Sequence, residues 1–188
     1  MIKTGAMHTA SLRDGRRVFI DGAEAGDVTV HPAFRRTVQS VAKLYDFQSR
    51  PENRDLMTYE TEDGGRANRM WQLPRSYEDL IARRQALVAW SELHGGYLGR
   101  SPDHVASSLS GMMMGLPVFQ AYDPARAAAL ADYYRYVRDN DLYMTYVIIN
   151  PQADRSKQAH EQADPYLTAG VVDQDAGGIT VRGARVPV

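Results

Sequence analysis

The stretch "SYEDLIARRQALVAWSELHGG", residues 76–96, constrains the fold more than any other part of the chain. Ser76 stands in front of a periodic segment with Asp79 three positions on. That is a shorter variant of the capping box, in which the cap and the third helical residue satisfy each other's backbone N–H groups. Tyr77, Leu80, Ile81, Leu87, Val88 and Ser91 recur at helical spacing and predict one apolar face. Gly95-Gly96 offers the left-handed exit that stops the helix. A helix with one apolar face has to cover it with other elements.

Further segments supply such elements. Thr4 can cap a short helix that ends at Asp14-Gly15, and "RVFIDGAEAGDVTV" reads as a small hairpin around Gly22 to Gly26. Pro32 stands at the first position of a helix expected to run to about Tyr45, with Phe34, Val38, Val41, Ala42 and Tyr45 on one face. A short helical turn follows Arg50-Pro51, then an irregular stretch around "EDGG". Two more amphipathic helices are expected, from Pro102 to about Met114 and from Pro124 to about Asn140. The expected fold class is mainly α, with a helical domain to about residue 140.

The character changes at Asp141. "DLYMTYVIIN" is β-branched and aromatic, yet short enough to finish as an extended segment instead of a sheet strand. "PQADRSKQAHEQADP" is a polar loop of a length that signals function or disorder. "YLTAGVVDQDAGGITVRGARVPV" contains two strand-like runs joined through Asp175 to Gly178, a hairpin signal. A lone hairpin is marginal, so this one implies more sheet than the chain supplies.

Composition removes whole classes of function. The 22 basic and 23 acidic residues leave a net charge of −1, and no like-charge block forms a basic arm, so nucleic acid is not an expected partner. With no cysteine, disulfide scaffolds, thiolate metal sites and cysteine nucleophiles fall away, and a reducing cytoplasm is the expected location. The histidines at 8, 31, 94, 104 and 160 lack metal-ligand spacing, so no metal is expected. There is no signal-peptide core and no apolar run long enough for a membrane span. GxSxG, Walker A, HExxH and GxGxxG signatures do not occur.

Two stretches remain. In "GGYLGRSPDHVASSL", residues 95–109, Ser101 is a candidate cap, Pro102 a first helical residue and Asp103 a favourable first-turn charge. The N–H groups of such a helix end, together with Arg100, would hold a carboxylate or phenolate, with a neutral His104 one turn in. An ordinary capped surface helix with a solvated arginine explains the same pattern. In "TYVIINPQADRSK", residues 145–157, amide and charged groups follow an apolar run, a mixture that suits a flavin edge and pyrophosphate but also a strand and solvated loop. Met112 to Met114 read as core filler, and Tyr133, Tyr134 and Tyr136 as packing or interface residues.

Seven motifs in order carry a more specific signal: "MIKTGAMHTASLRDGRRVFIDG", "VHPAFRRTVQSVAKLYD", "LPRSYEDLIARRQA", "GRSPDHV", "YYRYVRDNDLYMTYVIINPQADRSK", "DPYL" and "GITVRGAR". Together they resemble the oxygenase component of two-component 4-hydroxyphenylacetate 3-monooxygenases, over essentially the whole chain. The resemblance implies an acyl-CoA-dehydrogenase-like fold and only its N-terminal part. Residues 1–140 would form the N-terminal helical domain, 141–165 a connector carrying flavin and substrate contacts, and 166–188 the first strands of an incomplete middle β domain. The family's C-terminal bundle, through which complete members form homo-tetramers, has no counterpart.

The same resemblance implies reduced FAD supplied by a separate flavin reductase, molecular oxygen, a flavin C4a-hydroperoxide and ortho-hydroxylation of a phenol such as 4-hydroxyphenylacetate. Carried over residue by residue, Arg100, Ser101, His104 and Tyr146 would contact substrate, with Arg100, His104 and Tyr146 catalytic. Tyr146, Val147, Ile148, Gln152, Ala153, Asp154 and Arg155 would contact FAD. The family pattern has tyrosine where this chain has His104 and histidine where it has Tyr146, so two hydrogen-bonding side chains have exchanged places. An alternative is a truncated or split-gene product without activity of its own. A third reading is the related hydroxyacyl-CoA dehydratase branch, which the lack of cysteine disfavours.

Overall fold

The computed structural model describes residues 2–97, 99–151 and 153–185. They fall into two compact units, residues 1–144 and 145–188.

In the first unit, Thr4 accepts a hydrogen bond from the Met7 N–H and starts α1, Gly5–Ser11. The hairpin β1 (Phe19–Ile20) and β2 (Ala23–Glu24) turns at Asp21-Gly22, both with positive φ. Helix α2 spans Arg35–Ser49, three residues later than Pro32 and past Tyr45. The residues after Pro32 form a turn closed by Phe34 N–H onto the His31 carbonyl, and this turn delays the helix. Helix α2 buries Val38, Val41, Leu44, Tyr45 and Gln48. Gly5 is where α1 meets it: a Cβ there would lie 2.5 Å from the Ala42 carbonyl oxygen, and the Gly5 N–H donates to Asp46 at 2.8 Å.

A 3-10 turn, Pro51–Asn53, leads into α3, Arg54–Met57. The stretch around "EDGG", expected to be irregular, closes a second antiparallel hairpin, β3 (Thr58–Glu60) with β4 (Arg66–Asn68). A 3-10 turn, Arg69–Trp71, then places Met70 and Trp71 in the core. Helix α4 (Tyr77–Leu93) begins with the capping box read from the sequence, Ser76 and Asp79 each holding the other's N–H. The stripe it buries matches the expected one only in part, through Leu87. Ala86 and Trp90 face inward, while Tyr77, Leu80 and Val88 are exposed. The half-buried Arg83 lies on the inward side too, donating to the Met70 carbonyl at 2.9 Å and to Ser107 at 3.0 Å. Its stem can lie along apolar surface while the guanidinium reaches polar partners.

Helices α5 (Asp103–Met114), α6 (Leu116–Tyr122) and α7 (Pro124–Asp139) complete the unit. The short α6 was not foreseen in the sequence. Asp123 caps α7 by accepting from the Ala125 and Arg126 N–H groups. One core joins these elements, built from Leu44, Met57, Met70, Trp71, Ala86, Trp90, Ala106, Tyr134 and Val137. Trp71 and Tyr134 meet edge to face at 6.1 Å, and the Tyr134 hydroxyl donates to the Trp71 carbonyl. Met113 packs against this core, whereas Met112 and Met114 are exposed, so only the middle methionine is core filler. Among the described residues no helix is long and apolar enough to cross a membrane.

The chain leaves α7 through Asp141, a buried residue in the left-handed region at φ 46°. Its carboxylate accepts from the Lys3 N–H at 3.1 Å, from Asn68 Nδ2 at 3.2 Å and from Gln48 Nε2, and its carbonyl accepts from the Tyr45 hydroxyl at 3.1 Å. Asn68 also donates to Gln48 Oε1, which closes the ring. A left-handed non-glycine residue costs about 1–2 kcal/mol, and this set of buried bonds over-determines it.

In the second unit, β5 (Gly170–Asp175) and β6 (Gly178–Arg182) form the hairpin read from the sequence, with Ala176-Gly177 at its tip. Every strand residue is exposed. The polar loop before it contains a 3-10 turn, Ala159–Glu161.

Candidate functional site

The loop between α4 and α5 sets Arg100 at the threshold of α5. Gly95 and Gly96 both have positive φ, which ends α4 and turns the chain away from the helix axis. Ser101 precedes proline, a position that disfavours helical backbone, and α5 starts at Asp103 with Pro102 as its cap residue. Ser101 does not cap the helix as expected. Its hydroxyl donates to the Asp103 carboxylate, and the His104 N–H reaches the Ser101 carbonyl at 3.2 Å instead. The carboxylate two residues on is the stronger acceptor, so it takes the hydroxyl proton.

One turn in, Arg100 and His104 meet. Arg100 Nη1 lies 3.0 Å from His104 Nε2. A guanidinium only donates, so in this hydrogen bond Nε2 is the acceptor and the imidazole proton sits on Nδ1. Arg100 is half-buried and His104 exposed, so the pair forms a cationic, solvent-accessible edge. The Arg100 carbonyl accepts the hydroxyl of Tyr143, in the segment that follows α7. Tyr143 was passed over in the sequence, where it is one of several aromatic residues in a β-like run and nothing local links it to residue 100.

The other expected site residues belong to the second unit. Tyr146, Val147 and Ile148 lie in an extended, exposed stretch. Beyond it, Arg185 donates to the Asn150 side chain and to the Ile148 carbonyl at 3.4 Å. Ala153, Asp154 and Arg155 are exposed. Asp154 accepts from Ser156 Oγ at 2.6 Å and Ser156 N–H at 3.0 Å, and these bonds hold its carboxyl below the ordinary carboxylate range. Its carboxylate is thus committed to a loop turn. Gln152 lies outside the described residues.

This donor set fits a flavin in kind. Exposed Val147 and Ile148 offer an apolar wall, Asn150 an amide, and Arg155 a cation for a pyrophosphate.

The fold is that of the N-terminal part of an oxygenase component. It matches the oxygenase component of 4-hydroxyphenylacetate 3-monooxygenase complexed with FAD at 38% identity and a TM-score of 0.86, over 97% of this chain and 38% of that one. An archaeal 4-hydroxybutyryl-CoA dehydratase from N. maritimus shares the fold alone, at 24% identity and a TM-score of 0.77. The profile of the family described as 4-hydroxyphenylacetate 3-hydroxylase N terminal matches residues 4–187, and the chain belongs to that family.

Among curated relatives, the 4-hydroxyphenylacetate 3-monooxygenase oxygenase component of Thermus thermophilus is 38% identical over 187 residues, 99% of this chain and 38% of the relative. The oxygenase component of 4-nitrophenol 2-monooxygenase from a Rhodococcus species is 39% identical over 97% of this chain and 34% of its own length. The chain therefore spans little more than a third of the relatives it matches.

Proposed function

We propose that the chain is the N-terminal portion of a reduced-FAD-dependent aromatic monooxygenase that hydroxylates a phenol ortho to its hydroxyl group. In this reading it is the first helical domain and the opening strands of an acyl-CoA-dehydrogenase-like fold. It works with a separate flavin reductase in the cytoplasm, within a homo-tetramer completed by the β and C-terminal helical domains. The observation that carries the reading is the Arg100–His104 pair, 3.0 Å apart at the start of α5, in a chain of this family.

The guanidinium of Arg100 binds the substrate oxygen and stabilises its phenolate character, which moves electron density onto the ortho carbon. His104, with its proton on Nδ1, fixes the guanidinium orientation through Nε2 and sets the edge against which the ring lies. Tyr146 supplies a second hydroxyl to the substrate. Val147, Ile148, Ala153, Asp154 and Arg155, with Gln152, would hold the flavin. When bound and reduced, FAD with dioxygen supplies the electrophilic oxygen atom. The chain's own contribution is to orient the phenol.

The test is complementation. The chain is co-expressed with the part of the Thermus thermophilus relative that lies C-terminal to the matched region, and an unrelated flavin reductase supplies reduced FAD. Ortho-hydroxylated 4-hydroxyphenylacetate is the expected product. Arg100→Ala should keep oxygen consumption while losing most of the product. If the relative's own N-terminal segment complements and this chain neither retains FAD nor yields product, the reading fails in favour of a chain without activity of its own.

A further inference from the structure

We propose that Tyr143 is a positioning residue for the Arg100–His104 pair, acting through the hydrogen bond from its hydroxyl to the Arg100 carbonyl. The inference rests on the reading of that pair as the phenol contact.

Among the described residues, the local backbone bonds around Arg100 are short-range turns. Two left-handed glycines precede it, Pro102 follows it, and the bonds of Tyr97 N–H to His94 and His104 N–H to Ser101 are short-range turns. Tyr143 adds a tie from 43 residues away. It is also well placed to act as a fixed point. Leu142 and Met144, on either side, pack against the core, and Asp141, two residues before, is locked by Lys3, Gln48, Asn68 and Tyr45. The His8 ring lies 6.4 Å from the Tyr143 ring and confines it further.

The hydroxyl is kept as a donor. Burial, reinforced by the Asp103 carboxylate, pushes the Tyr143 hydroxyl above its ordinary range, so it is protonated at neutral pH. The consequence for the pair is geometric. An Nη1···Nε2 contact of 3.0 Å is lost as a hydrogen bond after a backbone displacement of roughly half an ångström to one ångström.

The experiment compares the wild-type chain with Tyr143→Phe and Arg100→Ala. Phenylalanine keeps the ring and deletes only the donor. The tautomer of the His104 imidazole, read by long-range proton–nitrogen NMR on the 188-residue chain, needs no flavin or substrate. Tyr143→Phe should move the His104 nitrogens most of the way to their Arg100→Ala positions, with His31 and His160 unmoved and the thermal midpoint nearly unchanged. In the complemented enzyme it should raise the KM for 4-hydroxyphenylacetate about three- to tenfold, the span one neutral hydrogen bond carries. It should have no further effect in the Arg100→Ala background.

His104 signals identical to wild type in Tyr143→Phe would overturn the proposal, as would additive effects of the two variants on KM. If His104 responds but Arg100→Ala leaves KM and product yield unchanged, the phenol-contact reading fails and takes the proposal with it. The two failures are thus told apart by the Arg100→Ala kinetics.

Discussion

Replacing His8 with phenylalanine should expose a pH dependence of stability that the native chain conceals. His8 is buried in α1 with its ring stacked on Tyr45 at 4.7 Å, and burial, aided by the Lys3 charge, lowers its pKa from 6.5 to about 4. Asp141, at the end of α7, is pushed the other way. Burial raises its pKa from 3.8 to about 6, against the bonds from Lys3, Gln48 and Asn68 that favour the carboxylate. The signs are opposite. Between pH 4 and 6.5 the unfolded chain holds more protons at residue 8, so stability rises with pH; between 3.8 and 6 the folded chain holds more at residue 141, so stability falls with pH. At about 1.4 kcal/mol per pH unit, each contributes about 3 kcal/mol, and the two nearly cancel. Phenylalanine preserves the stack on Tyr45 and removes one of the two titrations. His8→Phe should therefore lose about 3 kcal/mol between pH 4 and 6.5, while the wild type stays nearly level. Urea unfolding followed by the fluorescence of Trp71 and Trp90 across that range measures both curves. Parallel curves, or a variant that gains stability with rising pH, would refute the assignment of opposed protonation to these two groups.

Three further substitutions probe the frame around the candidate site. Gly5→Ala drives a Cβ to 2.5 Å from the Ala42 carbonyl and should destabilise the chain by about 1–3 kcal/mol through forced separation of α1 and α2; urea unfolding reads the loss. Ser76→Ala removes one half of the capping box on α4 and should cost about 1 kcal/mol, seen as faster amide exchange in the first turn of that helix. Leu44→Ala opens a void in the centre of the core and should cost about 2–5 kcal/mol, measured as a lower midpoint in urea.

The elements whose signals are local were legible in the sequence. Thr4, Ser76 with Asp79, the Gly95-Gly96 stop and the terminal hairpin all appear where the residues place them. What failed depends on contacts distant in sequence. The buried side of α4 also carries Arg83, whose partners Met70 and Ser107 lie outside the helix and are not visible in its periodicity. The hairpin β3–β4 hides in a polar stretch because its strands are short and its register is fixed by pairing. Around the candidate site, the spacing of Arg100 and His104 was readable, since four residues is one helical turn. Ser101 was misread because Pro102 takes the cap position of α5 and the Ser101 hydroxyl donates to the Asp103 carboxylate. Tyr143 and Asp141 were missed because their partners lie far along the chain.

The tie between Tyr143 and Arg100 also fixes an order of events. Local helices form early, but a contact spanning 43 residues can close only after α7 has docked and Asp141 has made its left-handed turn, because loop-closure entropy is offset only once the intervening elements are packed. The tie that holds the edge of Arg100 and His104 is thus a late contact, as are the longer-range bonds of Asp141 to Lys3 and Tyr45. Substitutions in α2 or at Lys3, which hold Asp141 in place, would thus be felt at Arg100 through Tyr143.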